Sequence, residues 1–265
     1  MISRMAISTK GLVKRYGRTT ALDGFTLDVP AGAVLGLVGP NGAGKTTWMM
    51  SVAGLLRIDA GEISVLGGGP FDASVHSGRL ALLPQDSELP LEMTPESLFV
   101  AFARLQGLSA AAAREAAEAT LAAVNLTAQA RKSVRSLSHG MRKRVMVGQC
   151  FLGNPEVVLL DEPMNGLDPE EAERLRNLIL ASRQPTTQSN NRSAFPIEQS
   201  NNPNNRTILI SSHNLLDLER LCTHVAFVEA GRVTRVGTIA ELTADGRTLE
   251  ECYLSRFVGA LADER

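Results

Sequence analysis

The sequence is short of cysteine, has almost no net charge and contains no long apolar run. Each shortage excludes something. Only three cysteines, Cys150, Cys222 and Cys252, stand in 265 residues, with no C-x-x-C spacing. That excludes a disulfide framework and a cysteine zinc site, and it fits a reducing cytosol. The 27 Lys and Arg balance 28 Asp and Glu to a net charge of -1. A protein whose main task is gripping nucleic acid usually carries a basic excess, which is missing here. No stretch reaches the roughly 20 apolar residues of a membrane helix. No run of roughly 7–15 apolar residues follows Met1–Met5, so a secretory leader is not expected. No internal repeat is visible. What remains is a chain with ordinary apolar and charged content, long enough to bury a full core without staples.

Short apolar runs alternate with Gly- and Pro-rich turns over the first 75 residues. Ala6-Ile7-Ser8, Phe25–Val29 and Val34–Val38 read as strands, the last apolar enough to be buried on both faces. From Thr94 to Ala130 the pattern turns helical. Thr94-Pro95-Glu96 has the capping hydroxyl, first-turn proline and acid of a helix start. Ser109, the alanine run 110–113 and the Arg114/Glu118 pair suggest a second, solvent-exposed helix. Val157–Leu160 forms another fully apolar strand, followed by a helix over Glu170–Ser182. Arg183–Arg206 then holds six asparagines, three glutamines and three prolines, so a flexible polar insertion is expected at 183–206. Thr207–Ser211 resumes strand character, and Val225–Glu229 with Arg232–Val236 reads as a closing hairpin around Gly231. Strand–helix alternation predicts an α/β fold with a mainly parallel sheet, interrupted by a helical insertion over 86–145.

Gly39-Pro40-Asn41-Gly42-Ala43-Gly44-Lys45-Thr46-Thr47 matches G-x-x-x-x-G-K-[ST] at every fixed position, after a buried strand and before a predicted helix. Glycines let backbone N–H groups converge on phosphate oxygens, and the helix N-terminus favours negative charge. Lys45 supplies charge to β- and γ-phosphates, and the Thr46 hydroxyl suits Mg²⁺. A second element lies at Val157–Pro163. It puts Asp161 at the carboxyl end of a strand, where α/β sheets bind ligands, as a further Mg²⁺ ligand. The adjacent Glu162 suits a general base that polarises water.

Taken in order, these residues resemble the nucleotide-binding subunit of ABC transporters over nearly the whole chain. Tyr16 is similar to the family's adenine-stacking aromatic, and Gln85, in Leu82-Leu83-Pro84-Gln85, to its Mg²⁺- and γ-phosphate-sensing glutamine. Leu137-Ser138-His139-Gly140-Met141 resembles the L-S-G-G-Q signature, with Ser138 and Gly140 kept and His139 and Met141 departing from it. Asn165-Gly166-Leu167-Asp168 resembles the loop that carries the inter-subunit aspartate, and His213 the histidine that contacts the γ-phosphate. Kinases and GTPases share the P-loop but lack this series.

The resemblance implies a P-loop NTPase (RecA-like) core in one domain over 1–265. It also implies an N-terminal antiparallel β subdomain and an α-helical signature subdomain inserted at 86–145. It further implies an ATPase that uses ATP and Mg²⁺. Glu162, His213, Lys45 and Gln85 would be catalytic, and Thr46, Gln85 and Asp161 would attend the metal. Tyr16, Gly39, Pro40, Asn41, Gly42, Ala43, Gly44, Lys45, Thr46, Thr47, Ser138, Gly140 and Asp168 would bind nucleotide. Two copies would pair head to tail, each ATP lying between one P-loop and the partner copy's signature. Separately encoded transmembrane permease subunits would hold the assembly at the cytoplasmic face of the membrane, with no nucleic-acid partner. Leu105-Gln106-Gly107-Leu108, the Gly-Met ending of the signature and the lack of a C-terminal regulatory domain resemble exporter subunits of the ABC-2 kind. A soluble ABC ATPase serving an assembly process such as iron–sulfur cluster assembly stays open as an alternative, as does a binding-only subunit.

Overall fold

The fold is described from a computed structural model, over residues 4–183 and 206–260. The chain opens with a hairpin of β1 (Met5–Tyr16) and β2 (Thr19–Pro30). It then passes through β3 (Val34–Val38), α1 (Lys45–Val52), β4 (Ala60–Val65), the single turn α2 (Ala73–His76) and β5 (Leu80–Leu83). Three helices follow, α3 (Pro95–Leu105), α4 (Ala110–Ala123) and α5 (His139–Gln149). The chain then alternates β6 (Val157–Asp161), α6 (Pro169–Arg183), β7 (Thr207–Ser212) and α7 (Leu215–Leu221). It closes with the hairpin β8 (His224–Glu229) and β9 (Arg232–Thr238), then α8 (Ile239–Leu242) and α9 (Leu249–Ala260).

Two sheets form, as an α/β chain with an N-terminal antiparallel part should. The first has the antiparallel order β2-β1-β4; the second has the order β5-β6-β7-β3-β8-β9, parallel from β5 to β8 with β9 antiparallel at one edge. The apolar runs of β3, β6 and β7 are explained by burial on both faces, since alternate residues of a strand serve opposite sides. Leu35, Leu37, Val157, Leu159 and Leu209 join a core with the first sheet and Trp48 of α1. Val34, Val38, Val158, Leu160, Ile208 and Ile210 join a second core with the helices. Trp48 stacks on Phe25 at 5.7 Å, and its indole N–H donates to the Thr9 hydroxyl at 3.1 Å, so this large ring is buried without an orphan donor. No helix among the described residues is long and apolar enough to cross a membrane.

Register decides what meets at the sheet's carboxyl edge. Asp161 pairs with Ser211, and Val38 pairs with Ser212. Because β6, β7 and β3 are adjacent and parallel, the segments leaving all three emerge side by side.

The helical stretch follows its sequence signals with one correction. Thr94 caps α3 in a reciprocal box with Ser97, and Ser109 caps α4 by accepting from the Ala112 N–H. α4 is not a solvent-exposed helix: Ala113, Ala116, Ala117, Thr120 and Leu121 form a buried stripe at helical spacing, while Arg114 and Glu118 stay outside. Alanine is a good helix former with a small side chain, so a run of it hides a packing face that a Leu or Ile run would announce. The expected polar insertion at 183–206 lies outside the described residues apart from its two ends.

Arg206, at one of those ends, ties three elements together. Its guanidinium donates to the carbonyls of Pro155 at 2.9 Å and Ser182 at 2.8 Å and to the Asn154 side chain, and it sits 5.1 Å from the Phe151 ring centre. Burial lowers its pKa to about 10, still charged at neutral pH. Arg206→Met keeps the apolar stem but strips those donors, at an expected cost of about 1–3 kcal/mol. Thermal unfolding should show a melting temperature lower by roughly 2–10 °C. An unchanged melting temperature would show that the clamp is idle.

All three cysteines are buried. Burial pushes the Cys150 thiol up to about 12 and raises Cys222 as well, so neither forms appreciable thiolate near neutral pH. The folded protein should therefore resist maleimide at these two positions, and mass spectrometry should find them labelled only after denaturation. Fast labelling of either in the folded state would contradict this packing.

Candidate active site

The P-loop is shaped by two close approaches. A methyl group on Gly39 would sit 2.2 Å from the Val228 carbonyl oxygen of β8, and one on Gly44 2.5 Å from the Ala21 carbonyl of β2. Gly44 also has φ 104°, a left-handed conformation that glycine adopts freely. The loop is thus seated between the two sheets. Gly44 is the N-cap of α1 and supplies no side-chain acceptor, so the first-turn N–H groups stay free for an anion. Lys45 is buried, and its ammonium donates to the carbonyls of Gly39 at 2.6 Å and Pro40 at 3.1 Å. Burial lowers its pKa, while Glu162 and Asp161 work against that shift. Tyr16, at the end of β1, is half exposed with its ring face 5.5 Å from the Lys14 ammonium. It is not packed as a core aromatic would be, and an exposed ring is what stacking on a base requires.

The carboxylates sit at the end of β6, which β7 separates from β3. Asp161 is 1% exposed; its Oδ2 accepts from the Thr46 hydroxyl at 2.5 Å, and its Oδ1 accepts from the Ser211 hydroxyl. Ser211 Oγ in turn accepts from the Glu162 N–H at 2.8 Å. Glu162 adopts φ 47°, an uncommon left-handed conformation for a non-glycine residue, and such outliers gather at functional sites. Its Oε2 lies 3.0 Å from His213 Nδ1, whereas its buried Oε1 accepts no hydrogen bond from the described residues. A buried carboxylate oxygen without a donor is costly unless water or a ligand reaches it.

Thr46 and Asp161 together present two hard oxygens within hydrogen-bond distance. Among the described residues no group of three His, Cys, Asp or Glu side chains is spaced to hold a metal alone. One hydroxyl and one carboxylate, completed by phosphate and water oxygens, is the donor set Mg²⁺ favours, so these residues fit that ion.

Gln85 stands two residues beyond Leu83, whose register partner is Leu160, so it leaves the sheet beside Asp161; it is exposed and makes no side-chain hydrogen bond among the described residues. Ser138, Gly140 and Asp168 form a separate group. Ser138 caps α5 by accepting from the Met141 N–H at 3.1 Å, and Asp168 accepts from the Glu171 N–H of α6 at 2.9 Å. No hydrogen bond or ion pair among the described residues joins them to the P-loop.

Two residues without an assigned role in the sequence stand in the site. Ser211 bridges Asp161 and Glu162, and the signal for it was a small hydroxyl residue ending a buried strand in register with Asp161. Lys143, on α5, is buried, which lowers its pKa, while the charges of Asp86, Glu162 and Asp161 act to raise it.

The profile of the ABC transporter family matches residues 22–165, more than half of the chain. The chain is 34% identical over 241 residues to a Nod factor export ATP-binding protein I of Ralstonia nicotianae, covering 89% of this chain and 68% of that protein. It is 36% identical over 245 residues to a daunorubicin resistance ATP-binding protein of Streptomyces coeruleorubidus, covering 91% and 70%. A solved ATP-binding subunit of an ABC transporter superposes with a TM-score of 0.75 at 26% identity, covering 94% of this chain and 98% of that one. A second solved structure, the ADP conformation of an ATP-binding cassette, shares the fold at 23% identity with a TM-score of 0.72. With the P-loop after β3, paired carboxylates at the end of β6 in the same parallel sheet, and relatives matched over most of its length, the chain belongs to the ABC transporter family, as an ATPase of the ATP-binding-subunit type.

Proposed function

We propose that this ATPase energises export across a membrane through separately encoded transmembrane subunits, as a single domain over 1–265 with its signature subdomain at 86–145. The observation that carries the reading is the register of β6, β7 and β3. It sets Lys45, Thr46, Asp161, Glu162, Ser211 and His213 side by side at one sheet edge. The relatives named for Nod factor export and daunorubicin resistance support the outward direction.

Gly39–Thr47 cradle the phosphates, with Lys45 holding negative charge already in the ground state. Tyr16 stacks on adenine. Thr46 and Asp161 hold Mg²⁺, which draws charge from the phosphate oxygens when bound. Glu162 is the general base: His213 fixes one carboxylate oxygen, leaving Oε1 to accept a proton from attacking water. Gln85 senses the γ-phosphate beside Asp161. Ser138, Gly140 and Asp168 act on the nucleotide of a second copy, head to tail, so ATP favours the closed dimer and hydrolysis releases it. Membrane contact runs through the transmembrane subunits at the cytoplasmic face, and no nucleic acid is involved.

The test is fractionation of cells carrying a tagged chain at native level. Recovery in washed membranes, with release by alkaline carbonate, is expected of a peripheral subunit. Recovery wholly in the soluble fraction would overturn the export reading in favour of a soluble assembly ATPase.

A further inference from the structure

Gly140 and the first turn of α6 are packed without a gap. A methyl group on Gly140 would lie 2.6 Å from Glu171 Cγ and 2.8 Å from both Cδ and Oε2 of the same side chain. A free glutamate would swing aside, but this one is held. Its Oε2 pairs by charge with Arg144 Nε at 3.0 Å, without hydrogen-bond alignment, its Oε1 accepts from Arg174 at 2.8 Å, and its side chain is 14% exposed. Arg144 is fixed as well: it is buried and donates to the carbonyls of Val124 at 2.8 Å and Asn125 at 3.1 Å, at the end of α4. The backbone N–H of Glu171 meanwhile donates to Asp168 Oδ1. One residue therefore touches the signature glycine, grips the signature helix and is capped by the aspartate of the neighbouring loop. His139 adds a contact alongside, its Nε2 lying 3.5 Å from where a methyl group on Gly166 would stand. That direction explains how a bulky imidazole replaces a signature glycine: it leans on its own chain's loop.

We infer that Glu171 is a positioning residue that locks the Ser138–Gly140 loop and the Asp168 loop into one body, and that position 140 must be glycine because Glu171 occupies the space. Two loops that meet a partner copy productively only in a fixed relation gain from such a lock, since misplacement by a fraction of an ångström is costly where a phosphate must be met. This functional consequence rests on the shared-site reading proposed above. The packing claim does not. A rival account gives Gly140 its glycine through close approach to the partner's nucleotide, and it predicts no dependence on Glu171.

A double-mutant cycle separates the two, using the full chain with Gly140→Ala, Glu171→Ala, Glu171→Gln and both pairings. Gly140→Ala alone should lower kcat for ATP about tenfold. Adding Glu171→Ala, which opens the space, should bring kcat to within about threefold of Glu171→Ala alone. Adding Glu171→Gln, which keeps the volume, should not. Equal loss from Gly140→Ala in all three backgrounds would overturn the inference, and so would rescue by Glu171→Gln. Melting temperatures of the same set give a second readout without nucleotide: non-additivity of Gly140→Ala with Glu171→Ala supports the packing, and additivity overturns it. If wild type forms no ATP-dependent dimer on size exclusion, the shared-site reading fails by itself, while the melting cycle still decides the packing.

Discussion

Replacing Glu162 with Gln is expected to lower kcat for ATP by about 10²–10⁴ while leaving ATP affinity nearly unchanged. The substitution keeps volume and backbone, so the left-handed turn at φ 47° and the Ser211 contact to the residue's N–H should survive. What it removes is basicity. Oε1 is buried and meets no donor among the described residues, the state in which a carboxylate oxygen can take a proton from water, and an amide in its place cannot take one usefully at neutral pH. The His213 contact to Oε2 places the surviving oxygen as before, so loss of position does not explain the loss of rate. Phosphate contacts come from the P-loop, which the substitution does not touch, so ground-state binding should hold. With the γ-phosphate intact, the variant should accumulate as an ATP-bound dimer on size exclusion in Mg-ATP. Near wild-type turnover would show that Glu162 is not the base.

The strands that build this site were legible because they are buried on both faces. Val34–Val38, Val157–Leu160 and Thr207–Ser211 are continuous apolar or small-residue runs, and the structure makes them β3, β6 and β7 with few changes of boundary. Two of the four edge strands were harder. β4 reads Ala-Gly-Glu-Ile-Ser-Val, half of it exposed, and β5 is four residues long, so neither offers a run or a clean alternation. Within the site, motif spacing identified the residues that would face phosphate, but not Ser211, which bridges two of them. Ser211 acts through partners far away in sequence, and only strand register reveals such pairs. The buried contact between Gly140 and Glu171 was hidden for the same reason: 31 positions separate them, and nothing local links a glycine to a glutamate.

Replacing Lys45 with Ala should act on the opposite side of the cycle, abolishing nucleotide binding rather than turnover. Its ammonium lies inside the loop, donating to the carbonyls of Gly39 and Pro40, so its charge is already where phosphate oxygens would come. Removing one partner of a buried charge pair typically costs about 3–5 kcal/mol, which weakens ATP affinity by about 10²–10⁴. Folding should change little without nucleotide, because losing two hydrogen bonds is offset by no longer burying an ammonium. Ligand-induced stabilisation is therefore the sensitive measurement. Wild type should gain thermal stability as Mg-ATP rises, since a ligand that binds only the folded state stabilises it by mass action. Lys45→Ala should show almost no gain and no ATP-dependent dimer. Burial holds the ammonium below the ordinary lysine range, so wild-type affinity should depend on pH. It should fade on the alkaline side sooner than an exposed lysine would allow. A Lys45→Ala protein that Mg-ATP stabilises as strongly as wild type would remove Lys45 from the phosphate site.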